Sequence, residues 1–188
     1  MEQQQRRKTK RVLSNPAYKD RATILKTSHE TGGLYSLGEL EVAPGGGNNP
    51  HIHTAFVETF TAVKGILGVM YQDKKLYLKP GDSLSIPLRT PHYFFNAGTE
   101  PITCHVQLTP GHEGFEKGIA IAYGLTADGK AGKNGFPKSL THLALVIDLT
   151  DTRPAGTMGL LMPLFSWLAR RARRKGIEAA LLEKYYYL

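Results

Sequence analysis

From Arg21 to Leu108 hydrophobic and polar positions alternate with the two-residue period of strands. Runs of this kind cover Thr23 to Ser28, Gly33 to Val42, Ala55 to Val63 and Ile66 to Gln72. They continue over Lys75 to Leu78, Ser83 to Ile86, His92 to Ala97 and Ile102 to Leu108. Gly, Pro, Asn and Asp pairs break them at Lys64-Gly65, Asp73-Lys74, Pro80-Gly81, Thr90-Pro91 and Gly98-Thr99. Many short strands with frequent turns predict a closed sandwich or barrel.

The pattern changes after Pro110-Gly111. Phe115 to Tyr123 reads as a helix, and Thr126 to Pro137 as a Gly/Lys-rich loop. Leu140 to Leu149 is apolar enough for a helix or a buried strand, and periodicity does not choose. Met158 to Arg174 and Ile177 to Tyr187 predict two helices separated near Gly176, with Pro163 either starting or kinking the first. The expected organisation is a flexible basic arm over 1–20, a β-barrel over 21–110 and a mostly helical extension over 111–188.

Composition changes this picture little. Hydrophobic residues make up 41% of the chain, which suits a packed globular fold. Charge adds more. The net charge of +8 sits mainly in two clusters, Arg6 to Arg11 and Arg170 to Lys175, and the body between them is formally balanced. A balanced body offers no broad electrostatic footprint for nucleic acid. The clusters are compatible with a solvated end or with a membrane surface. Cys104 is the single cysteine, so no internal disulfide can form. The polar, basic start has no apolar signal-like region, and a cytoplasmic location is the expectation, with a membrane-peripheral one as its alternative.

Candidate chemistry concentrates between Gly45 and Asn96. His51 and His53 are two apart, so in an extended segment both face one side. Glu58 follows on a run whose same face carries Phe56, Phe60 and Ala62, and His92 opens a later run with Phe94 and Asn96. If those faces share one interior, three imidazoles and a carboxylate converge beside an apolar wall of Phe56, Phe60 and Phe94. That donor set suits one divalent first-row transition metal: Fe, Mn, Ni, Zn or Cu. His105 and Gln107 alternate with Cys104, Val106 and Leu108, so one of the two faces points inward. An inward His105 or Gln107 would touch metal ligands or substrate. The glycine-rich Pro44 to Pro50 lacks the Lys-Ser/Thr of a phosphate-binding loop.

Gly45-x5-His51-x-His53-x4-Glu58-x6-Gly65 matches the first motif of the cupin superfamily, and Gly81-x5-Pro87-x3-Pro91-His92-x3-Asn96 resembles the second. Arg89 stands where the second motif has glycine. The resemblance covers roughly Thr23 to Leu108. It implies a double-stranded β-helix, or jelly-roll barrel, and a homodimer. It further implies a metal held by His51, His53, Glu58 and His92. Small bacterial cupins similar to quercetinase carry comparable shells. Three functions remain open. One is a metal-dependent dioxygenase acting on a small aromatic or enol-type substrate, with Glu58 as proton acceptor. Another is a non-catalytic metal- or ligand-binding or sensing module that docks through its basic helical tail. The third is a sugar or keto-acid isomerase, for which the phenylalanines make a poor pocket. The apolar stretch from Met158 to Leu168 is too short to span a bilayer. Packing on the barrel or a partner subunit, lying in a membrane interface over 158–175, and docking to a partner all fit it.

Overall fold

The eight alternating runs all become strands, and two further short strands bring the number before the first helix to ten among the described residues. The computed structural model describes residues 9–154 and 160–187. The strands are β1 (Val12–Asn15), β2 (Asp20–Lys26), β3 (Ser36–Val42), β4 (His51–Ile52), β5 (Val57–Lys64), β6 (Leu67–Tyr71), β7 (Lys74–Leu78), β8 (Ser83–Ile86), β9 (His92–Phe95) and β10 (Ile102–Thr109). Then come α1 (Glu113–Ala127), α2 (Leu140–Thr150), a two-residue strand β11 (Arg153–Pro154), α3 (Met162–Arg174) and α4 (Ile177–Tyr185).

All pairings are antiparallel. One sheet has the order β1-β2-β3-β10-β5-β8 and the other β11-β4-β9-β6-β7. Their inner faces enclose a core that includes Leu40, Val42, Phe60, Val69, Ile86 and Cys104. β10 lies between β3 and β5, so its Ile102, Cys104 and Leu108 point into that core. The jelly-roll expectation therefore holds, with the helices as an extension of it.

The extension has a core of its own. Ile121 and Leu125 of α1, Leu145 of α2, Phe165 of α3 and Leu182 of α4 pack together with Leu13 and Ile24 of the barrel sheet. Thus β1 and β2 carry the sheet outward as a floor for the helices. Of the flexible arm expected over 1–20, residues 12–15 are instead a strand, and residues 1–8 lie outside the described residues. Val12 to Asn15 pair with Asp20 to Thr23, because Leu13 and Asn15 gain a buried side there. Arg6 to Lys8 lie outside the described residues. Thr9 bridges Tyr187, and the Lys10 N–H donates to the Tyr186 carbonyl at 2.8 Å, so the N-terminal strand closes against the end of α4.

Residues 140–149 are helical. Ser139 caps that helix, its hydroxyl accepting from the His142 N–H. His112 caps α1 in the same manner through Nδ1, at 2.9 Å from the Phe115 nitrogen. Pro163 sits in the first turn of α3, where its missing N–H costs nothing, so it starts the helix and does not kink it. Met158 lies outside the described residues. α3 packs mainly on α2 and α4, within the core that also takes in Leu13 and Ile24 of the barrel sheet.

Candidate metal centre

β4 is only two residues long, yet it places His51 directly opposite His92 of β9. His53 follows just beyond β4, and Glu58 lies one residue into β5. All four side chains are buried. One ligand atom from each falls within 4.8 Å of every other. The spacing read from the sequence thus converges on one point.

Backbone carbonyls orient all three rings. Nδ1 of His51 lies 2.8 Å from the Asn49 carbonyl, that of His53 3.1 Å from the Asp151 carbonyl, and that of His92 2.9 Å from the Thr90 carbonyl. A carbonyl only accepts, so each Nδ1 carries the hydrogen and each Nε2 faces the centre. Nε2 of His51 and of His53 are 3.0 Å apart. Two lone pairs at that distance repel unless a cation or a proton lies between them. This is the arrangement a metal ion would relieve, and the donor set of three nitrogens and one carboxylate oxygen fits a divalent first-row ion.

Electrostatics agree. Burial, with His53 and His92 beside it, holds His51 down at about 3, and burial also lowers His53. Both rings are therefore neutral and free to ligate. Burial would lower His92 too, but Nε2 donates to Glu58 Oε2 at 2.8 Å and the net shift is upward. Burial alone would raise Glu58. The His92 hydrogen bond and the neighbouring imidazoles outweigh it and hold the carboxyl at about 2. Before a metal binds, the His92 ring and the Glu58 carboxylate share this hydrogen bond, which is an ion pair when His92 is protonated.

Asp151 escaped the sequence reading. It ends α2 in the left-handed region, at φ 48°. Its main-chain carbonyl orients His53, as described. Its carboxylate accepts from the Thr54 and Ala55 N–H groups and from the Thr54 hydroxyl, and it pairs with Arg153 Nε at 3.0 Å. Opposed by burial, these hydrogen bonds still keep it below the usual carboxylate range. β11 then pairs with β4, Pro154 opposite His51. A polar Asp followed by Pro marks a helix stop in sequence, but its partners lie about a hundred residues earlier, and no local pattern reports that.

The expected pocket residues divide. Phe94 lines a cavity of about 240 Å³ that reaches His51 and Glu58. The other walls come from the barrel (Leu40, Val106) and from the extension (Phe115, Ile119, Val146). Phe60 belongs to the barrel core, 6.3 Å from the His92 ring. Phe56 fills the space between His53, His112 and Phe115, at 4.5, 5.1 and 5.5 Å between centroids. Three residues need correction. Asn96 is buried, but its amide donates to the Val42 and Glu100 carbonyls and its oxygen accepts from the Gly98 N–H, so it clamps a turn. His105 and Gln107 face outward. His105 lies 3.5 Å from Glu39, and Gln107 donates to the Thr109 hydroxyl. The alternation is fixed by Cys104 and Leu108 taking the inner side.

Two backbone features complete the site. The glycine run before His51 exists for close approach: a Cβ on Gly46 would meet the Tyr18 carbonyl at 2.7 Å, and one on Gly47 the Phe94 carbonyl at 2.6 Å. Arg89 holds the left-handed conformation, at φ 60°, and its N–H donates to the His53 carbonyl at 2.7 Å. The turn is kept although the glycine is not.

Known proteins match this stretch. Oxalate oxidase 1 of Hordeum vulgare is 37% identical over 71 residues, spanning 34% of this chain and 35% of its own. Oxalate oxidase GF-2.8 of Triticum aestivum is likewise 37% identical over 71 residues, 34% of this chain and 32% of its own. The chain thus spans about a third of the length of the curated relatives it matches. Among solved structures, KdgF from Halomonas sp. superposes with a TM-score of 0.48 at 17% identity, over 54% of this chain and 89% of its own. The polyketide cyclase RemF from Streptomyces resistomycificus does so at 0.46 and 22%, over 58% and 78%. The family model described as Cupin domain matches residues 38–108, from β3 to the end of β10. Those residues hold most of β3, all of β4 to β9, nearly all of β10 and all four converging side chains, and they form a cupin domain.

Proposed function

We propose that the chain is a metal-dependent dioxygenase acting on a small aromatic or enol-type molecule. The observation that carries this reading is the largely apolar cavity of about 240 Å³ that opens onto His51 and Glu58. Its volume suits a small, largely apolar ligand that presents one polar group to the donor cluster.

His51, His53, His92 and Glu58 would hold the ion. A divalent metal bound there supplies Lewis acidity and redox capacity. The chain's own groups do the rest. Phe94, Leu40 and Val106 of the barrel and Phe115 and Ile119 of α1 line the cavity and would keep water from a bound ring. Glu58 takes the proton of a substrate hydroxyl at Oε2. Held at about 2 by His92, it is a weak base at rest. Loss of that hydrogen bond, together with release from the ion, would leave burial as the dominant influence, and burial strengthens it as a base.

The name of the plant relatives offers oxalate as a second substrate. Sequence similarity favours it, but the cavity does not. Oxalate is a dianion with almost no apolar surface, and Lys26 is the one Lys or Arg on the wall among the described residues. Oxygen uptake with Fe-, Mn-, Ni- or Cu-loaded protein decides the matter, with a flavonol, a catechol and oxalate as parallel arms. Uptake is expected with the aromatic compounds, and Glu58→Gln should slow it about 100-fold or more. Absence of both uptake and spectral change with every metal refutes the proposal, and uptake with oxalate alone replaces the substrate.

A further inference from the structure

Helix α3 has two apolar faces, and one is covered. Phe165, Ala169 and Ala172 are buried in the helical core. On the other side Leu160, Leu164 and Trp167 are 82%, 51% and 44% exposed. Positions 164, 167, 171 and 174 succeed one another at three- and four-residue steps, so they form one stripe along the helix, and Leu160 lies in the 3-10 turn just before it. The stripe is apolar at its start and cationic at its end, with Arg171 and Arg174 flanked by Arg170 and Lys175. The Arg171 guanidinium lies 5.5 Å from the Trp167 ring centroid. The nearby acids are engaged elsewhere: Asp148 and Glu178 both pair with Arg173, on the flank of the helix. Among the described residues Arg170, Arg171, Arg174 and Lys175 have no ion pair.

We propose that this face docks on an anionic lipid bilayer. Leu160, Leu164 and Trp167 would enter the interface, and the four cations would meet headgroup phosphates. Charge complementarity selects this occupant. A second copy of the chain would set the cationic end against itself or against leucines. A nucleic acid has no use for the exposed leucines, and the body of the protein adds no basic surface. Among the described residues no helix is long and apolar enough to cross a membrane, so the contact is peripheral.

Trp167 is the only tryptophan in the chain, so its fluorescence reports on this face alone. The full chain is titrated with phosphatidylserine–phosphatidylcholine vesicles and with pure phosphatidylcholine vesicles. The anionic vesicles should blue-shift the emission and shield it from iodide, and the neutral ones should do so far less. The double variant Arg171→Glu, Arg174→Glu should weaken binding at least about tenfold, and 0.5 M salt should weaken it likewise. Leu164→Asp should also weaken it. All three positions are exposed, so unchanged circular dichroism and melting certify the variants. No response to anionic vesicles, or a response that the double variant leaves intact, overturns the proposal. A blue shift on concentrating the protein alone, with a doubled mass by light scattering, gives the face to a second copy instead. Binding to duplex DNA that Leu164→Asp leaves unchanged gives it to nucleic acid.

Discussion

At the scale of single residues, the candidate centre is held by groups outside its donor set. Each of its three histidines is fixed by one carbonyl, and such outer contacts govern metal affinity about 10- to 100-fold. Asp151→Ala keeps the carbonyl that faces His53 but loses the carboxylate bonds to Thr54 and Ala55 that hold it in place, so it should lower metal affinity by up to about that factor, read by competition with a chromogenic chelator, while Asp151→Asn retains more of it. Equal affinity in wild type and both variants would remove Asp151 from the argument. Protonation gives a second test. His92 carries a raised pKa through Glu58, and a metal must displace its Nε2 proton. Below that pKa, affinity should fall about tenfold for each pH unit, and above it the dependence should flatten. A flat profile throughout would mean that His92 is already neutral. Arg89 stands in a conformation that glycine adopts freely, at a cost of about 1 kcal/mol for other residues. Arg89→Gly should raise the melting temperature by about 2 to 4 °C. The motif spacing made the four ligands legible, because spacing in a strand fixes side and register. Asp151 was illegible, because nothing near it in sequence shows where the chain returns.

Among the elements, strands were easier to read than what leans on them. Alternation located β5 to β10 within a residue or two, since each has one wet and one dry side. It missed β1, whose short VLSN run follows a basic segment and is recruited by the helices. It left β10 unoriented, although Ile102, Cys104, Val106 and Leu108 separate cleanly from Thr103, His105, Gln107 and Thr109, and the apolar set takes the inner side. A buried acid records the cost of the β1–β2 turn. Asp20 is pushed up to about 7 by burial, although the Tyr123 hydroxyl donates to it at 2.9 Å. Its other oxygen has no partner among the described residues. The folded state thus binds the proton more tightly than the unfolded chain. The resulting stability is present below about pH 4 and is lost as pH rises toward 7. Asp20→Asn should melt higher than the parent at pH 8, by an amount on the order of 3 kcal/mol, and with little difference at pH 4. The same melting curves at both pH values would contradict the assignment.

In the molecule as a whole, barrel and extension share side chains. Leu13 and Ile24 are covered only by helices, so a chain ending at Thr109 would expose that floor. Such a truncated chain should aggregate or melt without cooperativity, and a sharp transition would show the barrel to be self-sufficient. The junction at Asp151 has a further consequence. α2 walls the cavity through Val146 and Ile147, and the residue that ends it aims His53. Whatever occupies the cavity and whatever binds the histidines therefore act on one helix. Coupling of this kind is reciprocal. If a ligand tightens the ion tenfold, the ion tightens the ligand tenfold, and calorimetric titration in both orders would return the same factor.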